Sequence, residues 1–220
     1  MLNTIKSYAK INLFLNVVDK LDTGFHELNS VLSRIDLYDE IRIKDESSFS
    51  ISYNGPFGDQ VGSNDHVSKL FNYLIDKNYL KQKSFAIHVV KNIPVGSGLG
   101  GGSSNVAEII KYLIRSNLLD NSSSTEIARD LGSDIEFFID EGSALISGKG
   151  NVDQRLKINS DKHFLIVFPN VQNSTKDIFN KHSNLSGEKF SYKKYTNIDG
   201  ILKGTSNAVS YTHLRAHETS

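Results

Sequence analysis

The 220-residue sequence predicts an α+β fold, and three observations carry that expectation. Some segments alternate apolar and polar residues, the signature of half-buried strands, and others repeat apolar residues at the spacing of one helical face. A run dense in glycine joins one kind of segment to the other, at Ile93-Pro94-Val95-Gly96-Ser97-Gly98-Leu99-Gly100-Gly101-Gly102-Ser103-Ser104-Asn105.

Taken in order, Ile11, Leu13, Leu15 and Val17 fall on one face of a strand over residues 9–17, which leaves Lys10, Asn12 and Asn16 together on the other. After a turn at Asp22-Thr23-Gly24, the β-branched run over residues 31–43 predicts further strand. Val67, Leu70, Phe71, Leu74 and Ile75 make one helical stripe. Phe85, Ile87 and Val89 alternate into the glycine run, and Val106, Ile109, Ile110, Leu113 and Ile114 define the helix that leaves it. Ser123-Ser124-Thr125-Glu126 has the capping-box pattern for a short helix through Leu131, with Gly132 suited to a left-handed residue at its end. Ser133 is expected to cap a second helix carrying Asp134. The apolar run Phe164-Leu165-Ile166-Val167-Phe168-Pro169 predicts a strand opening a second domain, and beyond Asn184 the chain turns polar. No internal repeat occurs.

Composition excludes several classes. Twenty-five basic and 25 acidic residues cancel, so no global field attracts nucleic acid or an anionic membrane, and an anionic ligand has to be met by a local site. The absence of cysteine removes disulfides, thiolate nucleophiles and cysteine metal sites. His66, His88, His163 and His182 have no metal-ligand spacing. Residues 1–10 lack the apolar core of a signal peptide and no stretch approaches the roughly 20 apolar residues of a membrane span, so a cytoplasmic protein is expected. A small-molecule substrate is expected rather than nucleic acid or membrane, with the chain a monomer or homodimer.

Glycines without Cβ atoms allow positive φ and close approach of a ligand to the backbone, and a helix beginning at such a turn adds free N–H groups and its dipole. That context favours phosphate binding over a merely flexible surface loop. Gly96, Gly98 and Gly101 satisfy G-x-G-x-x-G, the dinucleotide fingerprint, which also wants an acidic residue about 20 positions on at the end of a strand. Asp120 has the distance but lies between helical segments. No lysine follows the glycines, which excludes a Walker loop. What remains is a nucleotide loop that works through backbone and hydroxyl groups.

The run from Pro94 to Ser104 resembles the phosphate loop of the GHMP kinase superfamily. Ala9-Lys10-Ile11-Asn12-Leu13, followed by Gly24-Phe25-His26-Glu27-Leu28 and Ile35-Asp36-Leu37-Tyr38-Asp39, is similar to the amino-terminal signature of the 4-diphosphocytidyl-2-C-methyl-D-erythritol kinase family of non-mevalonate isoprenoid synthesis. Leu131-Gly132-Ser133-Asp134-Ile135-Glu136-Phe137-Phe138 resembles that family's block around its catalytic aspartate, and Gly148-Lys149-Gly150 its following glycine turn. These blocks stand in the family's order across about residues 4 to 180.

The resemblance implies a two-domain GHMP kinase architecture, with a ribosomal-protein-S5-like amino-terminal domain over residues 1–155 and a partial α/β carboxy-terminal domain over residues 156–207. It implies ATP and Mg²⁺, with Asp134 as general base and Lys10 beside it stabilising charge. Pro94, Gly96, Ser97, Gly98, Leu99, Gly100, Gly101, Gly102, Ser103 and Ser104 would cradle the phosphates, and Ser103 or Ser104 would reach the magnesium. Lys91 and Asp65 are assigned to the adenine side. Phe25 stands where the family usually carries a stacking tyrosine and His26 where it contacts the base, with Asn12 and Thr175 as further substrate contacts. Other GHMP kinases, of the mevalonate or homoserine type, are the nearest alternative, followed by a non-catalytic nucleotide-binding module. The family continues through a second glycine-rich block absent here, and residues 208–220 match nothing in it. A truncated chain with a non-native tail and weak or no turnover is therefore expected.

Overall fold

Two long strands open the chain: β1 (Thr4–Lys20) and β2 (His26–Asp45), and β1 pairs with β2. They are followed by β3 (Ser50–Asn54), α1 (His66–Asp76), β4 (Phe85–Val90), α2 (Gly101–Arg115), α3 (Ser124–Leu131), α4 (Ile135–Ile139), β5 (Ser143–Gly148) and β6 (Asn151–Leu156). The computed structural model describes residues 4–20, 26–63, 65–80, 85–148, 150–158, 163–168 and 201. The mixture of strands and helices is the α+β class that the two periodicities predict.

The chain divides into two compact units, neither of them one continuous stretch. One takes residues 1–10 and 35–141, the other residues 11–34 and 142–220, so β1 and β2 each contribute to both. In the first unit β4 pairs antiparallel with β2 through Ile41↔Val89 and Ile43↔Ile87, and parallel with β3 through Ile51↔Ile87. Alternate residues of β4 are buried, and the stripes of α1 (Val67, Leu70, Phe71, Leu74) and α2 (Val106, Ile109, Ile110, Leu113) join them in the core. Full burial of such a side chain contributes about 1.5–3 kcal/mol. Phe71 lies against Phe85 at 5.7 Å between ring centroids. In the second unit β2 pairs with β5 through Val31↔Leu145, β5 pairs with β6 across a bulge, and Leu13, Phe14, Val31, Leu145 and Ile201 form the core.

Five sequence expectations are corrected. β1 does not keep one apolar face: Phe14 is fully buried on the face assigned to Lys10, Asn12 and Asn16, and Leu15 on the apolar face is only half-buried, because the strand is covered on both sides at Leu13-Phe14 and Val17-Val18. The capping box does not form. Instead Asp120 accepts from the Ser122 N–H at 2.8 Å and caps a short 3₁₀ turn that runs into α3. Gly132 is extended (φ 165°), not left-handed, and the residue at the cap of α4 is Asp134, not Ser133, with no side-chain capping bond. Residues 163–168 form no strand, and Leu165 is 89% exposed. An apolar run becomes a strand only where a neighbouring edge takes up its backbone hydrogen bonds, so apolar content alone does not make one. Among the described residues, no helix is long and apolar enough to cross a membrane.

Candidate active site

The glycine run is built from the end of β4 onward. Gly96, Gly98 and Gly100 all take φ of 73°, the left-handed region that side chains with a Cβ avoid. Gly100 is the cap of α2, so the helix begins inside the run and the first N–H groups of α2 point out of its end. The Ser97 hydroxyl donates to the Pro94 carbonyl at 2.7 Å and folds the run on itself. The Lys10 N–H donates to the Leu99 carbonyl at 2.9 Å and fastens the run to β1.

A cavity of about 380 Å³ lies over this turn, lined by the run from Pro94 to Ser103 without Leu99, and by Lys91, Tyr53, Asp65, His66 and Asp134 among others. Apart from the chain neighbours, no atom of the described residues stands within 4 Å of where a Cβ would project from Gly96 or Gly98. Those two peptides therefore face free space that a ligand can enter.

Lys10 and Asp134 come together as the resemblance implies, with Lys10 Nζ 3.6 Å from Asp134 Oδ2. The lysine side chain is only 8% exposed and the carboxylate 37%, so the ammonium is held inside and the carboxylate reaches solvent at the cavity wall. The Lys10 stem and the Phe138 ring pack on Gly100, where a Cβ would lie 3.1 Å from Lys10 Cγ and 2.9 Å from Phe138 Cε2.

The two serines at the start of α2 part company. Ser103 faces the cavity, whereas Ser104 is turned inward by the helical rotation, 1% exposed, and its hydroxyl accepts from Ser7 at 2.8 Å. A cation in the cavity would meet Ser103 and not Ser104. Leu99 contributes its carbonyl to Lys10, while its side chain is buried.

Asp65 and Lys91 both border the cavity but are already occupied. Asp65 caps α1, accepting from the Val67 and Ser68 N–H groups at 2.9 Å each, from the Ser68 hydroxyl at 2.6 Å and from the Tyr53 hydroxyl at 2.6 Å. Burial alone would raise its pKa, yet these four donors hold it below the usual carboxylate value. Its own burial, and then the same contact, push the Tyr53 phenol up. Lys91 is buried and donates to Asp39 Oδ2 at 2.5 Å and to the Ile93 carbonyl at 3.0 Å, and burial pushes its ammonium down against the pull of Asp39. His66 lies against Gly102, with ring atoms 3.2 Å from the position of a Cβ there, and its pKa is lowered by burial and by Lys69.

The substrate contacts expected from the resemblance are less complete. Asn12 belongs to the second unit, where its amide donates to the Ser30 hydroxyl at 2.9 Å. His26 opens β2, and Phe25 and Thr175 lie outside the described residues. In the sequence, Asp39 stands only within a signature block, and no motif marks Tyr53 or Phe138 for the site. The available signal for Asp39 was an acid inside a run otherwise suited to a buried strand.

Residues 65–145 match the family described as GHMP kinases N terminal domain. A 4-diphosphocytidyl-2-C-methyl-D-erythritol kinase of Pelagibacter ubique is 35% identical over 194 residues, covering 86% of this chain and 68% of the relative. Its counterpart in Fervidobacterium nodosum is 33% identical, covering 92% and 76%, and that of Prochlorococcus marinus is 37% identical, covering 90% and 63%. The chain thus spans about two thirds of the length of these relatives. Among solved structures, a 4-(cytidine 5'-diphospho)-2C-methyl-D-erythritol kinase superposes with a TM-score of 0.74 at 23% identity, over 98% of this chain and 78% of that one. A mevalonate kinase of Methanococcus jannaschii follows at 0.51 and 17%, over 71% and 56%. These two likenesses establish the fold.

Proposed function

The chain belongs to the 4-diphosphocytidyl-2-C-methyl-D-erythritol kinases, and from that premise we propose that it transfers the γ-phosphoryl group of ATP to the 2-hydroxyl of 4-diphosphocytidyl-2-C-methyl-D-erythritol, in non-mevalonate isoprenoid synthesis. The observation that carries the reading is the Lys10–Asp134 pair beside a left-handed glycine turn that opens α2. Phosphoryl transfer asks a protein mainly for a cradle, neutralised charge and an aligned hydroxyl. The glycine run supplies backbone N–H groups for the phosphates. Asp134 accepts the proton of the attacking hydroxyl as its oxygen bonds to phosphorus and the bond to ADP breaks, and Lys10 stabilises the charge on that oxygen.

Magnesium suits the donors that remain. Among the described residues no group of three His, Cys, Asp or Glu side chains could hold a metal ion. The Ser103 hydroxyl and the Asp134 carboxylate are hard oxygens at the cavity, which fits a magnesium ion bound chiefly through phosphate oxygens and water. When bound, it neutralises phosphate charge. The cytidine end is assigned to Phe25 and His26, with Asn12 and Thr175 as further contacts, and the setting to the cytoplasm, in line with a balanced net charge and a small anionic substrate.

Because weak or no turnover is expected of these 220 residues, the test uses the chain completed to the length of its relatives, incubated with ATP, magnesium and the cytidyl substrate and followed by phosphorus NMR for the 2-phosphate. Transfer to mevalonate or homoserine in preference would move the chain to another branch of the superfamily, and nucleotide binding without transfer to any of them would make it a binding module. Asp134→Asn should lower kcat by about 10²- to 10⁴-fold while nucleotide affinity stays within about threefold. Equal losses in both would remove the base role.

A further inference from the structure

Asp39, in β2, is fully buried, and its carboxylate gathers both ends of the glycine run. One oxygen accepts from the N–H groups of Asn92 at 2.7 Å and Ile93 at 2.8 Å, where the run begins. The other accepts from Lys91 Nζ at 2.5 Å and, with the Asn105 amide oriented as its surroundings require, from Asn105 in α2 at 3.1 Å. In that orientation the Asn105 amide also reaches the Gly101 carbonyl at 3.1 Å and the Ser7 hydroxyl at 2.8 Å. A buried carboxylate that receives donors from both sides of a loop defines how far apart the ends of that loop stand. A buried charge persists only when paired, and Lys91 is the partner. Its Nζ lies 2.8 Å from where a Cβ of Gly101 would be, tucked under the start of α2 and already engaged by Asp39 and Ile93.

We propose that Asp39 is a positioning residue for the nucleotide site, holding the two ends of the phosphate cradle in register, and that Lys91 serves it as a counter-ion and does not contact the nucleotide. This rests on the nucleotide reading given above and deepens it. Two double variants separate the roles, because both neutralise the ion pair and only one keeps the acceptor. Asp39→Asn with Lys91→Met retains an oxygen for the Asn92 and Ile93 N–H groups and, with the Asn105 amide turned over, an N–H for its carbonyl oxygen, whereas Asp39→Leu with Lys91→Met removes both.

Both variants are compared with the wild-type chain by amide hydrogen exchange over residues 92–105, with α1 as internal reference, and by calorimetric titration with ADP. The asparagine variant should exchange and bind ADP within about threefold of wild type, and the leucine variant should exchange at least about tenfold faster over residues 92–105 and bind ADP at least about tenfold more weakly. Equal exchange in the two variants overturns the proposal, as does equal ADP affinity or failure of both to fold, which would make the pair a determinant of the whole fold. An asparagine variant that folds with an unaltered loop but has lost ADP affinity would return Lys91 to the list of nucleotide contacts and overturn its counter-ion role. Exchange is read without ligand. It decides the clamp even where the wild type binds no ADP, an outcome that would sink the nucleotide reading instead.

Discussion

The first half of the glycine run and its second half use the same residue for different reasons. At Gly96 and Gly98 a Cβ would meet nothing within 4 Å, and only the left-handed backbone calls for glycine. At Gly100, Gly101 and Gly102 a Cβ would press on Phe138 and Lys10, on Lys91 and Ile93, and on His66. The open half leaves room beside the backbone. The crowded half is shaped by the chain itself, since it brings α2, β1 and α4 close enough for Lys10 and Asp134 to meet. A glycine-rich motif is thus two constraints written in one letter, and substitution separates them.

The largest effect is expected at Gly100→Ala, which adds left-handed strain to a Cβ placed 2.9 Å from the Phe138 ring. Strain of about 1–2 kcal/mol and overpacking of about 1–3 kcal/mol should together lower unfolding stability by roughly 2–5 kcal/mol in a denaturant titration. Adding Phe138→Leu to that variant should return part of the loss, and no recovery would mean that crowding is not what excludes a side chain there. Gly96→Ala carries only the backbone strain, about 1–2 kcal/mol. Gly96 lines the cavity, so ADP affinity should fall further than stability does, and unchanged affinity would detach the open half from ligand binding.

The smallest effect calibrates the comparison from outside the run. Asp65→Ala removes the cap of α1 and should cost about 0.5–2 kcal/mol. The carboxylate of Asp65 has a folded pKa below its unfolded value of about 3.8, so its contribution is complete above that value and is lost as pH falls through the lowered folded one. The stability difference between wild type and Asp65→Ala should therefore be flat from neutral pH to about pH 5 and shrink below about pH 4. A difference that grows with acid would contradict the lowered pKa.

Much of this site was legible in sequence order alone. The helical stripe from Val106 and the alternation of Phe85, Ile87 and Val89 place the glycine run between a strand and a helix, and both elements form where their periods put them. Local patterns failed where a longer-range partner decided the outcome. Ser123 has the right neighbours for a capping box, but Asp120 reaches the turn first. Phe14 sits on the polar side of an alternation that tertiary cover overrides. The work of Asp39 depends on residues 52 to 54 positions away and on Asn105 at the far end of the run, a distance that no motif spans.

The interleaving of β1 and β2 through both units also sets a schedule for synthesis. Val31 is completely buried in the finished protein, and its ladder partner on β5 is Leu145. A ribosome adding about 5–20 residues per second leaves that part of β2 waiting roughly 6–23 s for its neighbour to be made. During that interval an apolar strand edge emerges without its final pairing, which makes the nascent chain, more than the folded one, the form of this kinase most in need of a chaperone.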